Sequence, residues 1–97
     1  MPELITMLEQ RFPEAGLTVQ PTRDGIPTFW LDQASLLPVL RCLKEEIDRP
    51  FRTLYDLAGI DERLRRHRPG QPAADFTVVY HLLSYARNAD VRLKVAL

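Results

Sequence analysis

The chain is poor in the residues that usually mark chemistry. Its 97 residues hold one cysteine, Cys42, and two histidines, His67 and His81. A single cysteine excludes an internal disulfide and any cysteine-built zinc or iron–sulfur site made by this chain alone, and agrees with a reducing compartment. No apolar run approaches the roughly 20 residues that a membrane-crossing helix needs. The opening residues from Met1 to Arg11 lack the basic n-region and small-residue cleavage site of a signal peptide. The expectation is a cytoplasmic chain, at most peripheral to a membrane through a partner. An excess of charge is missing too: 13 basic and 13 acidic side chains sum to zero, so no global field recruits nucleic acid or anionic lipid.

What is present is an ordinary globular composition, with 45% hydrophobic and 27% charged residues, enough for one small core. Leu4, Ile5, Leu8 and Phe12 recur at helical spacing and predict a helix from about Glu3 to Phe12, ended by Pro13 and Gly16. Leu17 to Thr22 and Pro27 to Leu31 read as strands about an Asp24-Gly25 turn. Pro21 and Pro27 cannot donate to a ladder, which places at least one of these strands at or near a sheet edge. Asp32 or Ser35 is placed to cap a second helix with a buried stripe of Leu36, Leu37, Leu40, Leu43 and Ile47, and Pro50 closes it. Phe51 to Ile60 alternates as a third strand, with Gly59 a candidate bulge. A charged loop runs from Arg63 to Ala74. Asp75 to Tyr85 is apolar on both faces, with Phe76, Val78, Tyr80 and Leu82 on one and Val79, His81, Leu83 and Tyr85 on the other, and wants cover on two sides. A turn at Arg87 to Asp90 leads into a last strand, Val91 to Leu97. The order α-β-β-α-β-β-β predicts a two-layer α+β domain, with two helices on one face of a five-stranded sheet. The other face is then open to a partner. Apolar alternation continues to Leu97, unlike the polar tail of a self-sufficient domain, so the chain reads as the truncated N-terminal part of something larger. An uncovered face and an apolar terminal strand predict self-association of such a piece.

Catalysis finds little support in the residues. A cysteine nucleophile needs a base within reach and a group to orient it. Cys42 falls mid-helix among leucines and His81 on a strand, so a Cys/His hydrolase is a weak rival reading. The two histidines have no paired metal-ligand spacing, and no metal site is expected. The sharpest charge feature is the basic run Arg63, Arg65, Arg66, His67 and Arg68, with Asp61 and Glu62 immediately upstream. Guanidinium groups match phosphate oxygens, which makes a small nucleic-acid-binding domain the second rival. Adjacent acids, zero net charge and the lack of aromatic residues in the loop favour a solvated or protein-docking loop instead.

The strings Tyr55-Asp-Leu-x-Gly-Ile-Asp-Glu-Arg-Leu-Arg65, His67-Arg-x-Gly70, Pro72-Ala-Ala-Asp-Phe76, Val79-Tyr-His-Leu82, Arg87-Asn-x-Asp90 and Leu93-Lys-Val-Ala-Leu97 closely resemble the C-type subunit of the proton-translocating NADH:quinone oxidoreductase, respiratory complex I. This is the thirty-kilodalton subunit family. Phe12, Thr18-Val-Gln-Pro-Thr-Arg23, Gly25, Pro27 and Trp30 look like the same protein, and the likeness is strongest to the bacterial form fused to the D-type subunit. The resemblance implies a mixed sheet and a structural component of the hydrophilic arm, packed on the D-type subunit and its arm neighbours on the cytoplasmic side of the inner membrane. It implies no catalytic residue and no cofactor bound by this chain, while the parent complex uses NADH, flavin, iron–sulfur clusters and quinone. Asp61, Glu62, Arg63, Arg65, Arg66 and Arg68 then become candidate docking residues. In the family the chain continues beyond the position of Leu97 into a segment that completes the thirty-kilodalton protein.

Overall fold

The computed structural model describes residues 2–97. Helix α1 spans Pro2–Arg11, and strands β1 and β2 are short, Thr18–Val19 and Thr28–Trp30. A 3₁₀ turn, Gln33–Ser35, enters helix α2, Leu36–Arg41, which widens into a π turn at Cys42–Glu46. Strands β3 (Thr53–Asp61), β4 (Phe76–Ser84) and β5 (Ala89–Ala96) follow. The sheet order is β1-β2-β5-β4-β3, and β2 runs parallel to β5 while all other pairs are antiparallel. The architecture is therefore the expected α+β arrangement with a mixed five-stranded sheet.

Alternation divides the strands cleanly. Val91, Leu93 and Val95 of β5 enter the core with Phe29 of β2 and Leu82 of β4, against Leu4 and Leu8 of α1 and Val39, Cys42 and Leu43 of the second helix. Both helices thus cover one face. Asp90, Arg92 and Lys94, the residues between, lie on the back face with Thr28, Trp30, Val79 and His81, their register partners or strand neighbours of the same parity.

Several local expectations need correction. Leu37 is 73% exposed rather than buried, because it stands two residues from the fully buried Val39, on the order of 200° round the helix. The inward face is Val39, Cys42 and Leu43, and neither Asp32 nor Ser35 makes a side-chain cap. Pro38 is accommodated in the first turn of α2, where its missing N–H costs no helical bond. The first hairpin pairs over only two residues on each side, since Pro21 and Pro27 remove donors from its ends, and β1 occupies the sheet edge. Phe51 precedes β3 and is buried in the core. The β3 irregularity falls at Tyr55, between the pairs Leu54–Leu82 and Asp56–His81, while Gly59 keeps regular register with Val78. Tyr55 has an aromatic neighbour, the His81 ring at 5.1 Å, whereas a side chain at Gly59 would meet only open space. The last turn spans Tyr85–Asn88, two residues earlier than expected. Asn88 takes the left-handed φ of 51° there, which asparagine tolerates, and Tyr85 consequently leaves the strand and is exposed.

Arg87 joins the two layers. Its Nε donates to the Arg49 carbonyl at 2.8 Å and its Nη2 to the Asp48 carbonyl at 2.6 Å, and its guanidinium stands 5.4 Å from the centre of the Phe51 ring. Ser84 Oγ donates to the same Arg49 carbonyl at 3.2 Å. These bonds fix Arg49, itself at a left-handed φ of 50°, where the chain leaves the helix layer for Pro50 and β3. Hydrogen bonds from a charged donor contribute about 1.5–3 kcal/mol, reduced by exposure, so Arg87→Ala is expected to cost about 1–2 kcal/mol in urea unfolding, with Arg87→Lys recovering only part.

Candidate partner-docking surface

The helices do not reach the β3 side of the sheet. On their own face, beyond their cover, Leu54, Leu57 and Phe76 remain exposed, and their register partners or strand neighbours Leu82 and Tyr80 mark the margin of the core. β3 is also the sheet's free edge, nine residues long. Natural edges are commonly blunted by lysine, proline or a bulge. β3 contains no lysine or proline, carries Asp56 and Asp61, and has its one irregularity near the start. A nine-residue edge beside uncovered leucines is a surface suited to another polypeptide.

The charged loop grows out of the end of this strand. Glu62 N–H donates to the Asp75 carbonyl at 2.7 Å and closes the loop at its base. Arg63 donates from Nε and Nη2 to both oxygens of Asp61, at 3.0 and 2.7 Å, which holds the Asp61 carboxyl below and the Arg63 guanidinium above their ordinary pKa ranges. The Arg63 guanidinium also lies 5.1 Å from the centre of the Phe76 ring. Glu62 accepts from Arg65 at 3.1 Å and from Thr77 Oγ1 at 2.7 Å. His67 Nε2 lies 2.7 Å from the Gln71 carbonyl, to which it donates as the Nε2–H tautomer. Four of the six sequence-predicted residues, Asp61, Glu62, Arg63 and Arg65, are thus engaged with one another or with the sheet. Among the described residues, Arg66 and Arg68 enter no ion pair.

Two neighbours were missed by sequence reasoning. Leu64, between Arg63 and Arg65 at the tip of the turn, is 100% exposed; a lone leucine in an arginine run was the available signal. Lys94 lies on the back face, its Nζ donating to Gln20 Oε1 at 3.0 Å and standing 5.4 Å from the Trp30 ring centre. Trp30 Nε1 donates to the same Gln20 oxygen at 2.9 Å. Burial pushes the Lys94 pKa down. Only its place on a strand was visible in the sequence, not the loop that folds beside it.

The groups considered for catalysis are dispersed. Cys42 is wholly buried on the helix side, and burial raises its thiol pKa. His81 lies on the back face, 2.6 Å from Asp90 Oδ2, so the sheet separates it from Cys42. Asp24, beside Arg92 at 2.7 Å, has its carboxyl held at about 2 by that guanidinium, helped by the Ile26 N–H. It braces the first hairpin against β5.

A family model described as the 30 kDa subunit of respiratory-chain NADH dehydrogenase matches residues 29–97. The chain belongs to this family. It is 51% identical over 94 residues to the NADH-quinone oxidoreductase C/D subunit of Methylococcus capsulatus, 53% identical over 94 residues to that of Sodalis glossinidius and 50% identical over 95 residues to that of Pseudomonas aeruginosa. These alignments take in 97–98% of the chain but 16% of each relative. The thirty-kilodalton family match begins within β2, so it spans the β2–β5 parallel pair, the β3 edge and the charged loop.

Proposed function

We propose that this thirty-kilodalton-family domain is a non-catalytic structural element of the hydrophilic arm of a proton-translocating NADH:quinone oxidoreductase, packing on the D-type portion of the fused polypeptide through the β3 edge and the adjoining loop. The observation that carries this reading is the uncovered apolar strip of Leu54, Leu57 and Phe76 beside a free nine-residue edge. It is supported by similarity to proteins whose names join the C and D parts in one polypeptide. The domain itself binds no flavin, iron–sulfur cluster or quinone, and it meets the cytoplasmic side of the membrane only through its complex. No helix among the described residues is long and apolar enough to cross a membrane.

Cys42→Ala, His67→Gln and His81→Gln, introduced singly into the assembled oxidoreductase, are expected to leave NADH:quinone turnover per assembled complex within about twofold, since residues outside the chemistry change rate little. A loss of a hundredfold or more at normal assembly would place chemistry in this domain and overturn its structural role. The nucleic-acid reading has less support, because the loop's arginines are partly consumed by Asp61 and Glu62.

A further inference from the structure

Between the charged loop and β5 lies a hollow of about 110 Å³, lined among others by Glu62, Arg65, Arg66, Arg68 and Lys94. Its charge is unbalanced. Four cationic residues and one carboxylic residue, Glu62, line it, and that carboxylate is already shared by Arg65 and Thr77. Arg66, Arg68 and Lys94 enter no ion pair among the described residues, Glu62 acting on Lys94 only at longer range. Lys94 is the most telling of the three: its ammonium is partly withdrawn from water, yet its hydrogen-bonding partner is the neutral amide of Gln20. A partly desolvated cation is stabilised by an anion brought next to it. The surroundings are also fixed in place, since the Glu62–Asp75 backbone bond and the His67–Gln71 bond close the loop, so little ordering opposes the arrival of a ligand.

We infer that this hollow is a carboxylate-accepting socket for an acidic segment of the polypeptide against which the domain docks, with Arg66, Arg68 and Lys94 as the receiving cations. The inference rests on the docking reading and narrows it. Of the sequence-predicted loop residues, Asp61, Glu62 and Arg63 shape the loop, while Arg66 and Arg68 meet the partner. Guanidinium groups suit this role because their fork geometry matches a carboxylate. A partner acid entering the hollow supplies the missing countercharge and raises the Lys94 pKa from its lowered value.

Carbodiimide coupling joins an amine to a carboxylate only when the two are in contact. The full oxidoreductase carrying Arg68→Lys, and the unsubstituted complex with Lys94, should be treated with carbodiimide and digested for mass spectrometry. The expected product links the introduced lysine, Lys94, or both to an aspartate or glutamate outside residues 1–97. Coupling confined to residues within 1–97, or none, in a complex that assembles normally overturns the socket while leaving the docking reading intact. If the β3 amides of the unsubstituted complex exchange as fast as those of the isolated chain, both fail together. As a second readout, Arg66→Gln with Arg68→Gln should speed proteolytic cleavage between the docked domain and the D-type portion about tenfold at low salt and less at high salt. An effect independent of salt contradicts the inference.

Discussion

Phe29→Ala is expected to destabilise the chain by about 3–5 kcal/mol, the range for removing a buried phenylalanine. Phe29 is 2% exposed and sits at the centre of a three-residue strand. It pairs in register with Leu93 across the sheet's one parallel junction and belongs to the core shared by both helices. Because β2 is so short, neighbouring strand residues have little scope to shift and fill the space. Domains of ordinary stability hold about 5–15 kcal/mol in all, so the loss takes a large share and the urea midpoint should fall accordingly. Val19→Ala, on the exposed β1 edge, should change stability by no more than about 0.5 kcal/mol. A loss below about 1 kcal/mol for Phe29→Ala would mean that β2 is not locked onto β5.

Leu57→Glu is expected to leave the fold intact and to damage assembly. Leu57 is exposed on β3 and pairs with Tyr80 at the margin of the core, so a carboxylate there stays in water when the domain is free. Within a docked interface the same carboxylate would be buried without a partner. Charge insertion at a buried contact costs several kcal/mol, and a loss of about 3 kcal/mol corresponds to over a hundredfold in affinity. Assembled oxidoreductase in membranes should drop at least tenfold, while Leu57→Met should assemble normally. Unchanged assembly with Leu57→Glu would remove β3 from the interface.

The element order was legible because period-2 and helical patterns are local properties of the chain. Val91, Leu93 and Val95 announced the inward face of β5, and Pro21 and Pro27 announced a weakly paired edge. Pairing of β2 with β5 was not readable from pattern, since it joins segments far apart in the chain and local alternation is the same whichever neighbour a strand takes. The Tyr55 irregularity sits against a ring across the strand, His81, and the last turn, earlier than expected, holds Asn88 in a left-handed backbone, neither of which is a local pattern. At the candidate surface, the arginines stood out by charge. Their division into paired and unpaired members did not, because it depends on how the loop closes onto Asp75 and on which arginines then reach Asp61 and Glu62. The partner surface was expected on the open back face, where the hollow beside Lys94 lies, but an exposed apolar strip of Leu54, Leu57 and Phe76 lies on the helix face, where two short helices leave β3 uncovered.

Amide hydrogen exchange across β3 tests the central claim most directly. It should be measured on the 97-residue chain alone and on the proposed fused C/D polypeptide within an assembled oxidoreductase. In the isolated chain, the edge-facing amides between Leu54 and Ile60 should exchange quickly, because β4 pairs only one side of the strand. In the assembled complex they should slow by at least tenfold, as expected for backbone covered by a partner, with core amides at Val91 and Leu93 slow in both. Equal β3 rates in the two states would contradict docking through this edge.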